Sequence, residues 1–188
     1  MEQFQTYYLI ANEGHTEYVI FSYLTKVKFK NLFDKSKIKF SDKIEIAEDD
    51  IQISKGKLNG ISSLKSFEIK NKLIKDKYSG QKIFFILDED LYHSNEIGKV
   101  IKKQGDIIQF IKYNSEYLLL KFSGKTPKAP KDFKNMQEFR DYCKEEFKNE
   151  FNKEASQLKT IDLDNIFNKI DEIDIKKEFT ELFSTLSV

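Results

Sequence analysis

Carboxylate side chains follow three short hydrophobic segments of this 188-residue sequence. The segments are residues 7–11, 83–87 and 107–111, and the side chains that follow them are Glu13, Asp88, Asp90 and Glu116. Grouped carboxylates repel one another unless a cation neutralises them, and their hard oxygen atoms suit Mg²⁺ or Mn²⁺. One acidic residue in a loop would indicate little. Acidic residues after all three hydrophobic segments favour a divalent-metal site.

The spacing of the acidic residues supports this interpretation. Asp88 and Asp90 are two positions apart, so an extended chain points both to the same side and leaves Glu89 outside. Glu17 comes four residues after Glu13, in the expected first turn of a helix. At that position it either joins the site or interacts with the helix dipole.

Alternating strands and helices must position these side chains. The three hydrophobic segments contain few polar residues, which is typical of strands buried on both faces. Apolar residues at helical spacing predict helices at about 16–27, 62–77 and 95–104. We expect Thr16 to be the N-cap of the first helix, Gly14 to allow a sharp turn before it, and residues 38–53 to form strands or a hairpin. This order predicts an α/β fold with a parallel sheet, in which ligands bind beyond the carboxyl ends of the strands.

The last third of the sequence has a different character. Pro127 and Pro130, the two prolines, lie in a lysine-rich connector over about residues 123–134. Beyond it, helical segments are expected at about 136–151, 162–171 and 174–186. The sequence therefore predicts a first domain over residues 1–125 and a helical extension over residues 126–188, which packs on that domain or on a partner.

Composition indicates a folded protein. Hydrophobic residues make up 39% of the chain and aromatic residues 14%, which is enough for a sizeable core. No apolar run approaches the roughly 20 residues that cross a bilayer, and the N-terminus lacks the features of a signal peptide. Cys143, the single cysteine, lies among apolar helical positions, so we expect a small core residue in a cytoplasmic protein.

Charge is unevenly distributed, although the formal net charge is only +1. Residues 61–134 carry a net charge of +6, and residues 135–188 carry −5. A basic middle beside an acidic tail fits a face that binds a polyanion, but on charge alone a solvated lysine-rich surface is the better explanation. Arg140 is the only arginine, which nearly excludes recognition of phosphate or guanine by paired guanidinium hydrogen bonds.

Three short motifs follow one another within residues 5–125. Residues 12–17 (NEGHTE), directly after a hydrophobic strand, resemble the E-G-x-T-E opening of TOPRIM domains in the RloB-like and OLD-like nuclease families. Residues 88–90 (DED) resemble the second TOPRIM motif, D-x-D. Residues 114–120 (NSEYLLL) resemble the third RloB-like signature, without its Trp and one residue shorter. Residues 29–60 match no motif of these families.

The resemblance implies a TOPRIM, Rossmann-like sheet of about four parallel strands between helices, and phosphodiester hydrolysis that depends on Mg²⁺ or Mn²⁺. It implies five catalytic carboxylates, namely Glu13, Glu17, Asp88, Asp90 and Glu116. Asp88 and Asp90 would hold the ion, with Glu13 as a further ligand or general base. Lys121 or Lys125 would offset the charge of the substrate phosphate.

By the same resemblance, the substrate is DNA or RNA, with tRNA as one candidate, and the setting is bacterial anti-phage defence, including abortive infection. The modest charge of the basic segment suggests that a protein partner or a second copy of the chain, bound through the C-terminal helices, completes the binding face.

Two other classes of protein remain open. A hydrophobic strand followed by D-x-D also occurs in haloacid-dehalogenase-type phosphatases and in nucleotide-sugar glycosyltransferases, but neither family explains the motif at Glu13–Glu17. A TOPRIM-like domain that no longer cuts would instead be a binding or sensor subunit of a defence complex. The presence of all the expected carboxylates disfavours this last alternative without excluding it.

Overall fold

Strands in the described part of the chain form two separate sheets. The computed structural model describes residues 7–40, 44–46, 51–53, 56–58, 61–91 and 93–187. The strands are β1 (Tyr8–Asn12), β2 (Ile38–Phe40), β3 (Ile44–Ile46), β4 (Ile51–Ile53), β5 (Lys82–Asp88) and β6 (Ile107–Ile111). Strands β2, β1, β5 and β6 pair in that order as a parallel sheet, while β3 and β4 form an antiparallel hairpin.

Helices connect the strands of the parallel sheet and make up the C-terminal part of the chain. They are α1 (His15–Tyr23), α2 (Leu64–Lys77), α3 (Ser94–Lys103), α4 (Ser115–Phe122), α5 (Met136–Phe151), α6 (Thr160–Phe167), α7 (Glu172–Glu178) and α8 (Thr180–Leu186). Helix α1 continues into a π-helical turn over Leu24–Lys28. Among the residues described, no helix is long and apolar enough to span a membrane.

Helices cover both faces of the parallel sheet, which explains why its strands are hydrophobic without alternation. On one face, Phe67 of α2 and Ile101 of α3 pack with Phe85 of β5 in one buried cluster. On the other face, α1, α4 and the C-terminal helices pack around side chains such as Ile10 and Phe84. The α/β fold with a four-stranded parallel sheet and Rossmann-like layers is therefore confirmed.

The order of the strands reverses between β1 and β5. From β1 the chain first runs to the edge strand β2, and it then returns to β5 on the other side of β1. Helices α1 and α2, which follow β1 and precede β5, lie on opposite faces of the sheet. Such a reversal leaves a crevice at the carboxyl ends of the two strands, where α/β proteins bind ligands.

The C-terminal helices pack on the sheet. The side-chain oxygen of Gln109 in β6 accepts the backbone N–H groups of Glu181 at 3.0 Å and Leu182 at 3.3 Å. Its amide group donates to the backbone carbonyl of Glu178 at 3.1 Å. Buried side chains of α5 to α8, such as Phe147, belong to the same hydrophobic cluster as the sheet. The extension thus shares one core with the residues before it.

Two details differ from the sequence prediction. The first helix was expected to continue with its apolar spacing to residue 27, but α1 ends at Tyr23 and Val27 is 40% exposed. The reason is the π-helical turn, whose wider repeat departs from the α-helical spacing on which the prediction was based. The segment 174–186 was expected to be one helix, but the backbone of Phe179 leaves helical geometry and divides it into α7 and α8.

Cys143 is a core residue of α5. Its side chain is fully buried, and burial raises the pKa of the thiol to about 12. A thiol that keeps its proton at neutral pH is a poor nucleophile, so the structure confirms the expected role in packing.

Gly56 allows the loop after the hairpin to lie against β1. Its φ is +76°, and a Cβ atom there would lie 2.6 Å from the carbonyl oxygen of Ile10. We expect Gly56→Ala to lower the free energy of unfolding by more than about 2 kcal/mol, of which about 1 kcal/mol comes from the left-handed backbone and the rest from this contact. Urea denaturation of the two proteins measures the difference.

Gly80→Ala is the matched control. Gly80 has a similar φ of +78°, but among the described residues no atom outside Gly80 and its two chain neighbours lies within 4 Å of the position of its Cβ. This variant should lose only about 1 kcal/mol, the cost of the backbone conformation. Equal losses in the two variants would contradict the close approach of Gly56 to β1.

Candidate active site

The predicted carboxylates meet at the carboxyl end of the parallel sheet. Glu13, Asp88, Asp90 and Glu116 line one cavity with a volume of about 470 Å³. Parallel strands bring their carboxyl ends to the same edge, so β1, β5 and β6 deliver these residues to neighbouring positions. Glu17 is buried behind the lining, in the first turn of α1. The structure therefore brings all five carboxylates together.

Glu13 and Asp88 lie at the point where the strand order reverses. Asn12 pairs with Ile86, so Glu13 is beside the last residues of β5. The backbone N–H of Asp88 donates to Glu13 Oε2 at 3.1 Å, and the backbone N–H of Glu13 donates to the carbonyl of Ile86 at 2.9 Å. The Glu13 side chain is thereby fixed against the strand that carries Asp88.

Ser115 connects Glu17 to Asp88. Its hydroxyl oxygen lies 2.7 Å from Glu17 Oε1 and 3.0 Å from Asp88 Oδ1. A hydroxyl group donates one proton, so both contacts are hydrogen bonds only when one carboxyl group is protonated and donates to the hydroxyl. Burial raises the pKa of both carboxyl groups, and the charges of Glu17 and Glu13 raise that of Asp88 further. Both effects favour the protonated forms of these two carboxyl groups.

Glycine at position 14 leaves room for the side chain of Glu17. Gly14, and not Thr16, is the N-cap of α1, and its φ of −142° is extended backbone that any residue adopts, so the expected sharp turn does not require glycine. The backbone N–H of Gly14 donates to Glu17 Oε2 at 2.7 Å, and a Cβ atom at Gly14 would lie 3.1 Å from that oxygen. Glu17 therefore accepts a hydrogen bond from the N-cap of α1, and it also lies near Asp88, to which Ser115 connects it.

Asp90 is held by two partners, one directly after β6 and one on α5. The Asn114 side-chain amide donates to Asp90 Oδ2 at 3.0 Å, and Arg140 Nε lies 3.1 Å from the same oxygen. Asn114 is also the N-cap of α4, where it accepts the backbone N–H of Tyr117 at 2.8 Å. Glu89, between the two aspartates, is exposed and is not part of the cavity lining, as the spacing predicted.

Glu116 lies on the rim of the site, in the first turn of α4. It lines both the acidic cavity and a second cavity of about 470 Å³ that runs along α5 beside Lys144 and Lys148. Burial raises the pKa of Glu116, and the charge of Glu17 adds to this effect. Glu116 thus contributes negative charge at the junction of the two cavities.

Burial raises the pKa values of all five carboxyl groups. The charges of neighbouring carboxylates raise those of Glu13, Glu17, Asp88 and Glu116 further. The pKa of Glu13 rises to about 8, chiefly because of burial and next because of the charge of Glu17. Burial also raises the pKa of Asp90, although Asn114 and Arg140 oppose this effect. A divalent cation would replace the bound protons and relieve the repulsion, and carboxylate oxygens are ligands that Mg²⁺ and Mn²⁺ prefer.

The chemistry of these donors fits a divalent cation, but the side chains are not already arranged around one. Within the part of the chain that the structure describes, no three His, Cys, Asp or Glu side chains form a group that could hold a metal ion as they stand. Hydrogen bonds from Ser115, Asn114 and Arg140 engage the carboxylates instead. Ion binding therefore requires some of these partners to be exchanged.

Cationic side chains line the cavity at positions that the sequence analysis did not assign. Lys70 of α2 lies on one side, and Arg140 and Lys144 of α5 lie on the other. Burial lowers the pKa of Lys70, while the charge of Glu13 opposes this effect. Gln137 also lines the cavity and shares a helix face with Arg140 and Lys144. Their spacing of three and four positions is the sequence signal that could have identified this face.

Lys121 and Lys125, predicted to offset phosphate charge, do not line this cavity. Lys121 is exposed on α4. It is five positions from Glu116, and five helical positions turn the chain by roughly 500°, so the two side chains project in different directions. Lys125 Nζ forms an ion pair with Glu150 Oε2 at 2.6 Å. The structure therefore does not bring either lysine to the carboxylates.

The raised pKa of Glu13 makes the stability of the protein depend on pH. A carboxyl group whose pKa rises from 4.5 to about 8 on folding binds more protons in the folded state between these values. Without metal, the free energy of unfolding should therefore fall as the pH rises from about 4.5 to about 8. We expect Glu13→Gln to reduce this fall, because glutamine does not ionise. Thermal unfolding in EDTA across this pH range measures it.

Glu89→Gln is the control for this measurement, since it removes an exposed carboxylate from the neighbouring position outside the cavity. In this variant the free energy of unfolding should decrease with rising pH as much as it does in the wild-type protein. A fall of the same size in Glu13→Gln would show that Glu13 does not hold the excess proton.

Comparison with other proteins adds no assignment to this geometry. No protein-family model, no curated protein and no solved structure matches the chain. The likeness to TOPRIM domains stays a prediction from three motifs.

Proposed function

We propose that this protein is a nuclease that hydrolyses phosphodiester bonds of DNA or RNA with the help of Mg²⁺ or Mn²⁺. The observation that carries the proposal is that four carboxylates and several cationic side chains line the same cavity, at the point where the strand order reverses. Phosphodiester hydrolysis needs both, because the oxygen ligands hold an ion and the cations attract the phosphate. The resemblance of the three sequence motifs supports the same class of reaction.

Asp88, Asp90 and Glu13 are the proposed ligands, because they extend from the ends of adjacent strands into the cavity. When bound, the ion supplies an activated water molecule and stabilises charge on the leaving oxygen. Ser115 and Glu17 orient Asp88 through the shared hydroxyl contact. Glu13, with its pKa raised to about 8, can accept or release a proton near neutral pH, which suits the alternative role of general base.

The proposed phosphate contacts are the three cations of the cavity lining, Lys70, Arg140 and Lys144. They replace Lys121 and Lys125, which do not line the cavity. The acidic cavity and the second cavity share Glu116 and Lys144. A nucleotide chain that occupies the first cavity can therefore continue along α5 into the second. This continuity favours a polymeric substrate over the small phosphate esters of D-x-D phosphatases.

Anti-phage defence in the bacterial cytoplasm is the proposed setting, and the sequence resemblance is its support. A protein partner or a second copy of the chain, bound through the C-terminal helices, also remains a proposal. Ile161 and Ile173 are exposed apolar side chains on those helices.

Cleavage assays test the proposed activity. The purified protein is incubated with plasmid DNA, single-stranded DNA and total tRNA, each in Mg²⁺, Mn²⁺ or EDTA. We expect cleavage of at least one substrate with an ion and none in EDTA. The double variant Asp88→Asn, Asp90→Asn should lower the rate by at least about a hundredfold, because it removes two charged oxygen ligands.

Glu89→Gln is again the matched control, because Glu89 lies between the two aspartates but outside the cavity. It should cleave at the wild-type rate, and circular dichroism checks that each variant is folded. Cleavage that persists in the double variant would refute the proposed site. A wild-type protein that binds nucleic acid but cuts nothing with either ion would instead favour a non-catalytic binding subunit.

A further inference from the structure

Arg140, the only arginine of the chain, binds Asp90 at the edge of the acidic cavity. Its Nε lies 3.1 Å from Asp90 Oδ2, and its Nη2 donates to the backbone carbonyl of Asp90. Asn114 donates to the same Oδ2 atom at 3.0 Å. One oxygen of a proposed metal ligand is therefore engaged by two donors, of which one carries a positive charge.

The two partners of this ion pair differ in how firmly they are held. The Asp90 side chain is only 5% exposed, and its backbone N–H donates to the carbonyl of Tyr113 at 2.7 Å. The Arg140 side chain is 28% exposed and reaches the site from α5 on a long, flexible stem. The guanidinium group is therefore the partner that can move.

A guanidinium group and a divalent cation compete for the same carboxylate oxygen. Both are positive, so they repel each other when both contact Asp90 Oδ2. The guanidinium group also carries several donors in a planar fork, which matches the oxygens of a phosphate as well as those of a carboxylate. A lone arginine was not expected to bind phosphate in this way, but the position of Arg140 in the cavity lining makes one such contact available. Arg140 thus has a second ligand available in the same cavity once an ion and a phosphodiester are present.

We propose that Arg140 is the internal counter-ion of Asp90 while no divalent cation is bound, and that it releases Asp90 to the cation and turns to the phosphate of the substrate. This inference rests on the proposed function, because it concerns the same site. It assigns Arg140 a positioning role before the ion binds and a substrate contact afterwards.

Titration calorimetry with Mn²⁺ tests the exchange on the full chain without any cleavage. Arg140→Gln removes the competitor, so the Mn²⁺ dissociation constant should fall by about tenfold. Lys144→Gln is the matched control, because it removes another positive charge from the lining of the same cavity. It should tighten Mn²⁺ binding by less than about threefold, through the general field alone.

A double-mutant cycle assigns the effect to Asp90. With Asp90→Asn in the background, Arg140→Gln should improve Mn²⁺ binding no more than Lys144→Gln does. In EDTA, Arg140→Gln should melt at a lower temperature than the wild-type protein, because Asp90 loses its counter-ion. Mn²⁺ should then raise the melting temperature of Arg140→Gln more than that of the wild-type protein. Arg140→Lys keeps the charge without the fork, so its Mn²⁺ affinity should lie between those of the wild type and Arg140→Gln.

A dissociation constant for Mn²⁺ that is unchanged or larger in Arg140→Gln, or no different from that of Lys144→Gln, would overturn the inference. If Arg140→Gln does not fold, the same comparison is made with Arg140→Lys, and an unchanged affinity there overturns it equally. These results leave metal-dependent cleavage by the wild-type protein intact. Failure of the proposed function looks different, since the wild-type protein would then cut no nucleic acid with either ion, whatever the Mn²⁺ affinities of the variants.

Discussion

The crowding of five buried or half-buried carboxyl groups at one end of a hydrophobic sheet is the constraint on which the rest of this structure depends. An ionised carboxylate is costly to remove from water, and several of them together repel one another. Adjacent parallel strands make this crowding unavoidable once Glu13 follows β1, Asp88 ends β5 and Asp90 comes two residues later. Hydrogen bonds and one guanidinium group offset the cost, and burial raises the pKa of Glu13 to about 8, which favours its protonated form. Each of these can be exchanged for a divalent cation, so the unfavourable charge makes the cavity a candidate for metal chemistry.

The turn between β6 and α4 supplies the neutral partners. Asn114 caps α4 and binds Asp90 through its side-chain amide, while Ser115, the next residue, contacts both Glu17 and Asp88. A helix that starts directly at the end of a strand needs a polar cap in any case. Here the same polar residues organise the acidic cluster. The third sequence motif therefore contributes more than its glutamate, because the two residues before Glu116 determine how the other carboxylates are held.

The C-terminal extension is a structural part of the site. Phe139 of α5 packs against the rings of Tyr113 and Tyr117, with centroids 5.7 and 5.9 Å apart, and the next residue, Arg140, reaches Asp90. Gln109 ties the last helices to β6 by hydrogen bonds. By net charge this extension is acidic, yet it supplies Arg140 and Lys144 to the cavity. Net charge over a segment averages over helix faces that point in different directions, so it conceals the cationic face that lines this cavity.

The sequence by itself determined the order of strands and helices and the end of the sheet at which the carboxylates collect. Hydrophobic runs and helical spacing are local signals, and a parallel sheet places every strand end that carries an acid at one edge. Only the tertiary structure decided which partner each carboxylate has. Arg140 is 50 residues from Asp90, and Ser115 is 98 residues from Glu17. No local pattern encodes contacts over such separations, because they depend on how α5 packs on the sheet and on the angle at which α4 leaves β6. Local helix geometry is enough to turn Lys121 away from Glu116, whereas Lys70 and Lys144 line the cavity because of how α2 and α5 pack on the sheet.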